Sequence, residues 1–134
     1  MLHARKEGFD ALVLVTDEDG ERSRVQQLNM AQEFEEFLAQ YPRALGIAIR
    51  TFDAWMLADE KTLGSILGYT VQKQPAPEEN SDPKSDCTKL LQGSNCELEQ
   101  RILYARIAEV VDLKQLEQRC PKGFGVFASR LRSL

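Results

Sequence analysis

Histidine is nearly missing from this chain, with His3 the sole one in 134 residues. A Ser-His-Asp or Cys-His catalytic set needs an imidazole held inside the fold, and one near a terminus, where chains are least tied down, speaks against both. Cysteine is also scarce. Cys87, Cys96 and Cys120 are odd in number and form no CxxC pair, so neither a zinc site nor a disulfide framework is expected. Long apolar runs are lacking too: stretches such as Ala11 to Val15 fall far short of the roughly 20 residues of a membrane-spanning helix. The first residues, Met-Leu-His-Ala-Arg-Lys-Glu-Gly, have no apolar signal core, which makes the cytoplasm the expected compartment. Nor is there a large excess of one charge. Seventeen Lys and Arg against 21 Asp and Glu give −4, a field that favours neither nucleic acid nor anionic membrane, so any such contact must be local. Carboxylates, lysines and arginines remain for chemistry.

What is present is an ordinary globular composition, 43% hydrophobic and 28% charged, enough for one domain spanning 1–134. Leu2 to Lys6 reads as the end of a helix stopped at Gly8. Ala11 to Thr16 is a continuous aliphatic run, as in a strand covered by helices on both faces. Glu21 to Ala39 then has helical spacing, with Val25, Leu28, Ala31, Phe34, Phe37 and Leu38 on one face. Ala44 to Ile49 is a second strand. Strand, helix, strand with short loops is the βαβ signature of a parallel sheet. Phe52 to Ala58 and Lys61 to Leu67 read as helix, closed by Gly68, and complete a βαβ core over 1–69.

Thr70 to Asp82, with Pro75, Pro77, Glu78 and Glu79, has the composition of an exposed loop. Asp82-Pro83 restarts order as N-cap and first helical residue, in a helix ending at Gly93. The rest of 83–134 is helical: Cys96 to Val110 with Leu98, Ile102, Leu103 and Ile107 inward, Leu113 to Gln118, and Phe124 to Leu131. Two strands alone leave two unpaired edges. Weak strands are hidden, a second chain completes the sheet, or an N-terminal strand is missing. Pairing through that edge makes the chain a homo-oligomer.

The candidate site is Thr16-Asp17-Glu18-Asp19-Gly20, at the carboxyl end of the first strand, where ligands bind in open α/β sheets. Asp17 and Asp19 point to one side if the backbone stays extended. Two charges about 6 Å apart repel by roughly 3 kcal/mol at an effective dielectric near 20, so the pair suits water or a hard cation such as Mg²⁺ or Mn²⁺. The alternative is a solvated turn with Asp19 capping the next helix. Next door, Asp53 is placed to add a third carboxylate and Arg50 to hold a phosphate with its planar fork; otherwise Thr51 or Asp53 caps a helix whose Trp55, Met56 and Leu57 are core. Lys84, at a helix N-terminus, is a second phosphate candidate or a solvated lysine. The cations Lys114, Arg119, Lys122, Arg130 and Arg132 form either a nucleic-acid footprint or charges favoured by helix C-termini.

These blocks together, Val-Thr-Asp-Glu-Asp-Gly, then Gly-Ile-Ala-Ile-Arg-Thr-Phe-Asp-Ala-Trp-Met-Leu-Ala-Asp, then Pro-Ala-Pro-Glu-Glu, Asp-Pro-Lys, Tyr104 and a Phe-rich final helix, resemble a bacterial family related to the Toprim (topoisomerase-primase) fold. The resemblance covers nearly the whole chain, and Ala48 to Asp59 is its most specific block. It implies a three-layer α/β fold with a short parallel sheet and a helical C-terminal part. It also implies Mg²⁺ held at Asp17 and Asp19, phosphodiester chemistry on nucleic acid of a nuclease-like kind, and an ATPase or other protein as partner. Asp53 stands where that family shows glutamate. The family's upstream glutamate, set after a strand of its own, has no counterpart, since Glu7 abuts the strand bearing Asp17. A chain lacking it is expected either to be truncated or to serve as a non-catalytic interaction subunit that keeps the fold. A flavodoxin-like small-ligand binder is the third reading.

Overall fold

The computed structural model describes residues 8–34, 41–95 and 97–134. The expected helix at Leu2 to Lys6, and with it Glu7, Phe37, Leu38 and Cys96, lie outside the described residues. Two aliphatic segments, β1 (Leu12–Asp17) and β2 (Arg43–Ala48), pair in parallel from Leu12 opposite Arg43 to Asp17 opposite Ala48. Helix α1 (Arg22–Phe34) connects them. The fold is mixed α/β and mostly helical, with seven α-helices and this two-stranded sheet among the described residues.

Period-two alternation sends the side chains of β2 to two different packing partners. Leu45 and Ile47 meet Leu28 of α1, with Leu12, Val25, Ala31 and Ile49 around them. Ala44 and Ala48 join the larger cluster of Trp55, Met56, Leu57, Leu63, Leu103, Ile107, Leu116 and Phe127. A methyl at Gly46 would stand 2.6 Å from the Phe127 ring, so the glycine lets that ring lie directly on the strand. Trp55, Met56 and Leu57 are core, as their apolar run suggests.

The cover over β1 is less than its sequence implies. Val13, Leu14 and Val15 are 51%, 48% and 37% exposed, because α1 and the C-terminal helices are centred on β2 and leave β1 at the margin. Phe34, at the described end of α1, is likewise exposed rather than inward.

Past β2 the chain forms a single turn, α2 (Asp53–Met56), instead of a helix through Ala58. It then restarts as α3 (Glu60–Leu67), where Asp59 is the N-cap and left-handed Gly68 the stop. The proline-rich segment is not simply exposed. Pro77–Glu79 forms a 3₁₀ turn with Pro77 and Glu78 buried, since the Glu78 carboxylate is needed inside. Helix α4 (Pro83–Gln92) begins as its Asp-Pro signal predicts, with the Asp82 side chain accepting from Ser85 N at 3.0 Å.

Helix α5 (Gln100–Val110) starts later than the apolar pattern suggests. Leu103 and Ile107, one turn apart, are buried, whereas Ile102 is 40% exposed on the flank of that face. Helix α6 (Leu113–Arg119), a π-turn (Pro121–Gly125) and α7 (Val126–Arg132) complete the chain. Among the described residues no helix is long and apolar enough to cross a membrane.

Candidate functional site

The acidic run at the end of β1 is built into the junction with β2. Asp17 Oδ1 accepts from Phe52 N at 2.8 Å and so caps α2, whose own N-cap residue supplies no side-chain bond. Glu18 is buried and its Oε2 accepts from Arg50 N at 2.8 Å, while Asp19 N donates to Arg50 O at 2.9 Å. Asp19 and Arg50 both have left-handed backbones, φ +53° and +66°. Such conformations cost about 1–3 kcal/mol each in non-glycine residues and cluster at functional positions. Neither helix-capping alternative holds in its simple form. Asp19 reaches Arg24 in the first turn of α1 at 2.8 Å instead of capping it, Asp53 is the first residue of α2 rather than its cap, and the Thr51 hydroxyl, buried without a partner among the described residues, caps nothing.

Asp53 is engaged elsewhere. Its Oδ1 accepts a short hydrogen bond from the Tyr104 hydroxyl and one from Gln100 Nε2 at 3.3 Å, and Gln100 also bonds Tyr104. Burial, and then the Asp53 contact, push the Tyr104 phenol far above its ordinary value. Burial lifts the Cys87 thiol to about 12, so it is protonated and packs as a small hydrophobe with Sγ toward Asp53 O. The Asp17 carboxyl is raised mainly by burial and further by the negative charges of Asp19 and Asp53, against the Phe52 N–H. Asp17 thus lies within the field of both Asp19 and Asp53. The three do not converge: among the described residues no group of three or more Asp, Glu, His or Cys side chains is arranged to hold a metal ion. Asp17 Oδ2 and Asp19 Oδ1 make no hydrogen bond among the described residues, and two carboxylate oxygens are few for any cation that does not keep most of its water, as Mg²⁺ does.

The expected phosphate ligands are separated. Arg50 lines an open cleft of about 490 Å³ at the carboxyl end of the sheet, with Arg22, Lys122, Glu18, Glu78 and Glu79. Lys84, Asp17, Asp19 and Asp53 do not line it, and Lys84 stands exposed on α4. Three cations against three carboxylates give the cleft no net pull on an anion. The C-terminal cations are mostly spoken for: Arg119 pairs with Glu60, Arg132 with Glu117 at 2.8 Å, and Arg130 with the sheet.

The two edges of the sheet differ most. Leu12 N donates to Pro42 O and Glu18 N to Ala48 O, so the odd-numbered residues of β2 turn their backbone groups away from β1. That far edge is covered by side chains at Arg43 and Leu45. Gln32 Nε2 donates to Arg43 O and Gln32 Oε1 accepts from Leu45 N, both at 2.9 Å, while Arg130 donates to Leu45 O and to Asn29 Oδ1, both at 2.7 Å. The outer edge of β1 has no strand beside it among the described residues. By the same alternation, Val13 and Val15 point their N–H and C=O groups outward there.

Comparison with protein-family models, curated proteins and solved structures finds no match. The site therefore stands on its own geometry. Sequence reasoning missed Gln32, Arg130 and Glu78. Arg130 was visible only as one charge in a basic tail, and a glutamine inside a helix carries no signal that its amide will face a strand.

Proposed function

We propose that this chain is a protein-interaction module that docks by accepting a strand at the outer edge of β1. The observation that carries the reading is the asymmetry of the sheet: Gln32 and Arg130 cover β2 at Arg43 and Leu45, whereas β1 has no neighbour among the described residues beside exposed Val13, Leu14 and Val15. A long apolar edge is a template for another strand, and proteins that do not use one blunt it with charge, proline or a bulge. None of these interrupts Leu12 to Val15. The acidic groups at the strand end are structural in this reading, as cap, ion pair and buried network.

Native-state amide exchange tests it. Leu12, Leu14 and Thr16, bonded to β2, are protected in any folded chain. The module reading expects Val13 and Val15 to be protected as well once assembled. Fast exchange at Val13 and Val15 under every condition of concentration and partner overturns it.

A second reading, favoured by the field that Asp19 and Asp53 exert on Asp17, is the Toprim-like one: Mg²⁺ at Asp17 and Asp19, with a phosphodiester of nucleic acid as ligand. There the metal would polarise phosphate, and the chain would supply the two carboxylates. Calorimetric titration with Mg²⁺ or Mn²⁺ separates the two: binding lost in Asp17→Ala favours the metal reading, and no binding to the wild type removes it.

A further inference from the structure

We infer that the strand taken up by β1 is β1 of a second copy of this chain, antiparallel, with Leu14 on the two-fold axis. The inference rests on the docking reading above and names its occupant. A parallel ladder has unlike donors and acceptors on its two strands, so only antiparallel pairing makes residue i face j while j faces i. Because Val13 and Val15 carry the outward backbone groups, they must form the hydrogen-bonded pairs. Three registers satisfy this.

Centring on Val13 leaves only Leu12 to Leu14 opposite strand residues. Centring on Val15 sets the Asp17 carboxylate against Val13 of the other copy. Centring on Leu14 pairs Val13 with Val15, Leu14 with Leu14 and Leu12 with Thr16, and puts Asp17 opposite Ala11. Apolar then faces apolar from Val13 to Val15, Leu12 faces Thr16, and the Asp17 carboxylates of the two copies lie at opposite ends of the contact.

The faces agree as well. Leu14 lies on the α1 side of the sheet and Val13 and Val15 on the Phe127 side, so a two-fold axis normal to the sheet brings like faces together. Each exposed side chain then covers its counterpart where the helices stop. The resulting strand order is β2-β1-β1-β2, four strands where a lone pair is marginal. Both new outer edges are β2 edges, already occupied by Gln32 and Arg130. The assembly closes at two copies, which an open sheet would not do. This closure favours a second copy over an unrelated strand.

The test uses the full chain. Light scattering coupled to size exclusion is expected to give twice the chain mass. Leu14→Cys is expected to form an intermolecular disulfide under mild oxidation, since directly opposed residues in a non-hydrogen-bonded antiparallel pair bring Cβ atoms within bridging reach. Leu14→Lys places two like charges on the axis and is expected to weaken dimerisation by about tenfold or more, with the fold kept because the side chain is half exposed. Val13→Pro is a second, independent variant: it removes an outward N–H and none bonded to β2, so a folded monomer is expected. A monomer at all concentrations whose Val13 and Val15 amides become protected only with another protein overturns the second copy and keeps the docking reading. A monomer with those amides always unprotected overturns both. A dimer unaffected by Leu14→Lys and Val13→Pro, with no Leu14→Cys cross-link, places the interface elsewhere and overturns the inference.

Discussion

Gln32 and Arg43 bond each other twice, the Gln32 side chain donating to Arg43 O and the Arg43 side chain donating to Gln32 O, each at 2.9 Å. With Oε1 also accepting from Leu45 N, the glutamine amide occupies β2 as a neighbouring strand would. Gln32→Leu removes that imitation and leaves a half-buried acceptor and donor without partners, a loss of about 1–3 kcal/mol in denaturant unfolding. It also reopens the far edge, so species larger than the wild-type assembly are expected by light scattering. Unchanged stability and unchanged size would show that the amide is dispensable.

Glu78 ties the proline-rich segment to the C-terminal turn. It is 5% exposed, and its two oxygens accept from Lys122 N at 2.9 Å and Gly123 N at 2.6 Å. Burial raises its carboxyl despite these bonds. In Glu78→Gln one oxygen becomes an NH₂ group facing a backbone N–H, which no side-chain flip relieves. The expected cost is about 1–3 kcal/mol, read from the shift in urea midpoint at constant slope. Glu79→Gln, with an exposed side chain whose contact to Lys122 is 3.9 Å, is expected to be near neutral.

Gly46 is held small by a ring rather than by its backbone. A Cβ there meets Phe127 Cδ2 at 2.6 Å and Cγ at 2.7 Å, so Gly46→Ala must displace the ring from β2 and costs about 1–3 kcal/mol by overpacking. Phe127→Leu alone opens space and also destabilises. The double variant is expected to be more stable than the sum of the two losses, a coupling that a thermodynamic cycle measures. Strict additivity would mean the ring does not rest on that glycine.

What could be read from the sequence follows from how local each signal is. The two strands, the crossover helix and the Asp82-Pro83 start depend on neighbouring residues and stand close to where periodicity and capping put them. The exposure of β1 has no sequence signal, because an unbroken aliphatic run looks the same whether helices cover it or not. Asp17 and Asp19 were correctly placed at the strand end, but their partners, Phe52 N and Arg24, are a matter of backbone geometry in three dimensions. The left-handed turn at Arg50 had no signal, since arginine is not a residue that marks one. The position of Asp53 just past β2 suggests the strand-end crevice; its engagement by Tyr104 and Gln100, about fifty residues away, is a tertiary fact.

Asp59 ties the start of α3 to the chain at Asp112. Its carboxylate accepts from Thr62 N at 3.1 Å, Thr62 Oγ1 at 2.7 Å and Asp112 N at 3.1 Å. Burial pushes its carboxyl up, and these bonds outweigh burial and hold it below the ordinary 3.8. A depressed folded value means that the unfolded chain binds the proton first as pH falls. The stabilisation is therefore complete above 3.8 and is lost as pH drops through the folded value. Asp59→Asn puts an NH₂ where Oδ2 accepts from Asp112 N, so at neutral pH it is expected to be less stable by about 1–3 kcal/mol. Glu60, held below its ordinary value by the Arg119 hydrogen bond, is present in both proteins, so comparing the two isolates Asp59. The gap between wild type and Asp59→Asn in thermal midpoint should accordingly shrink below 3.8. Curves that stay parallel down to the acid transition would assign the acid sensitivity to other carboxylates.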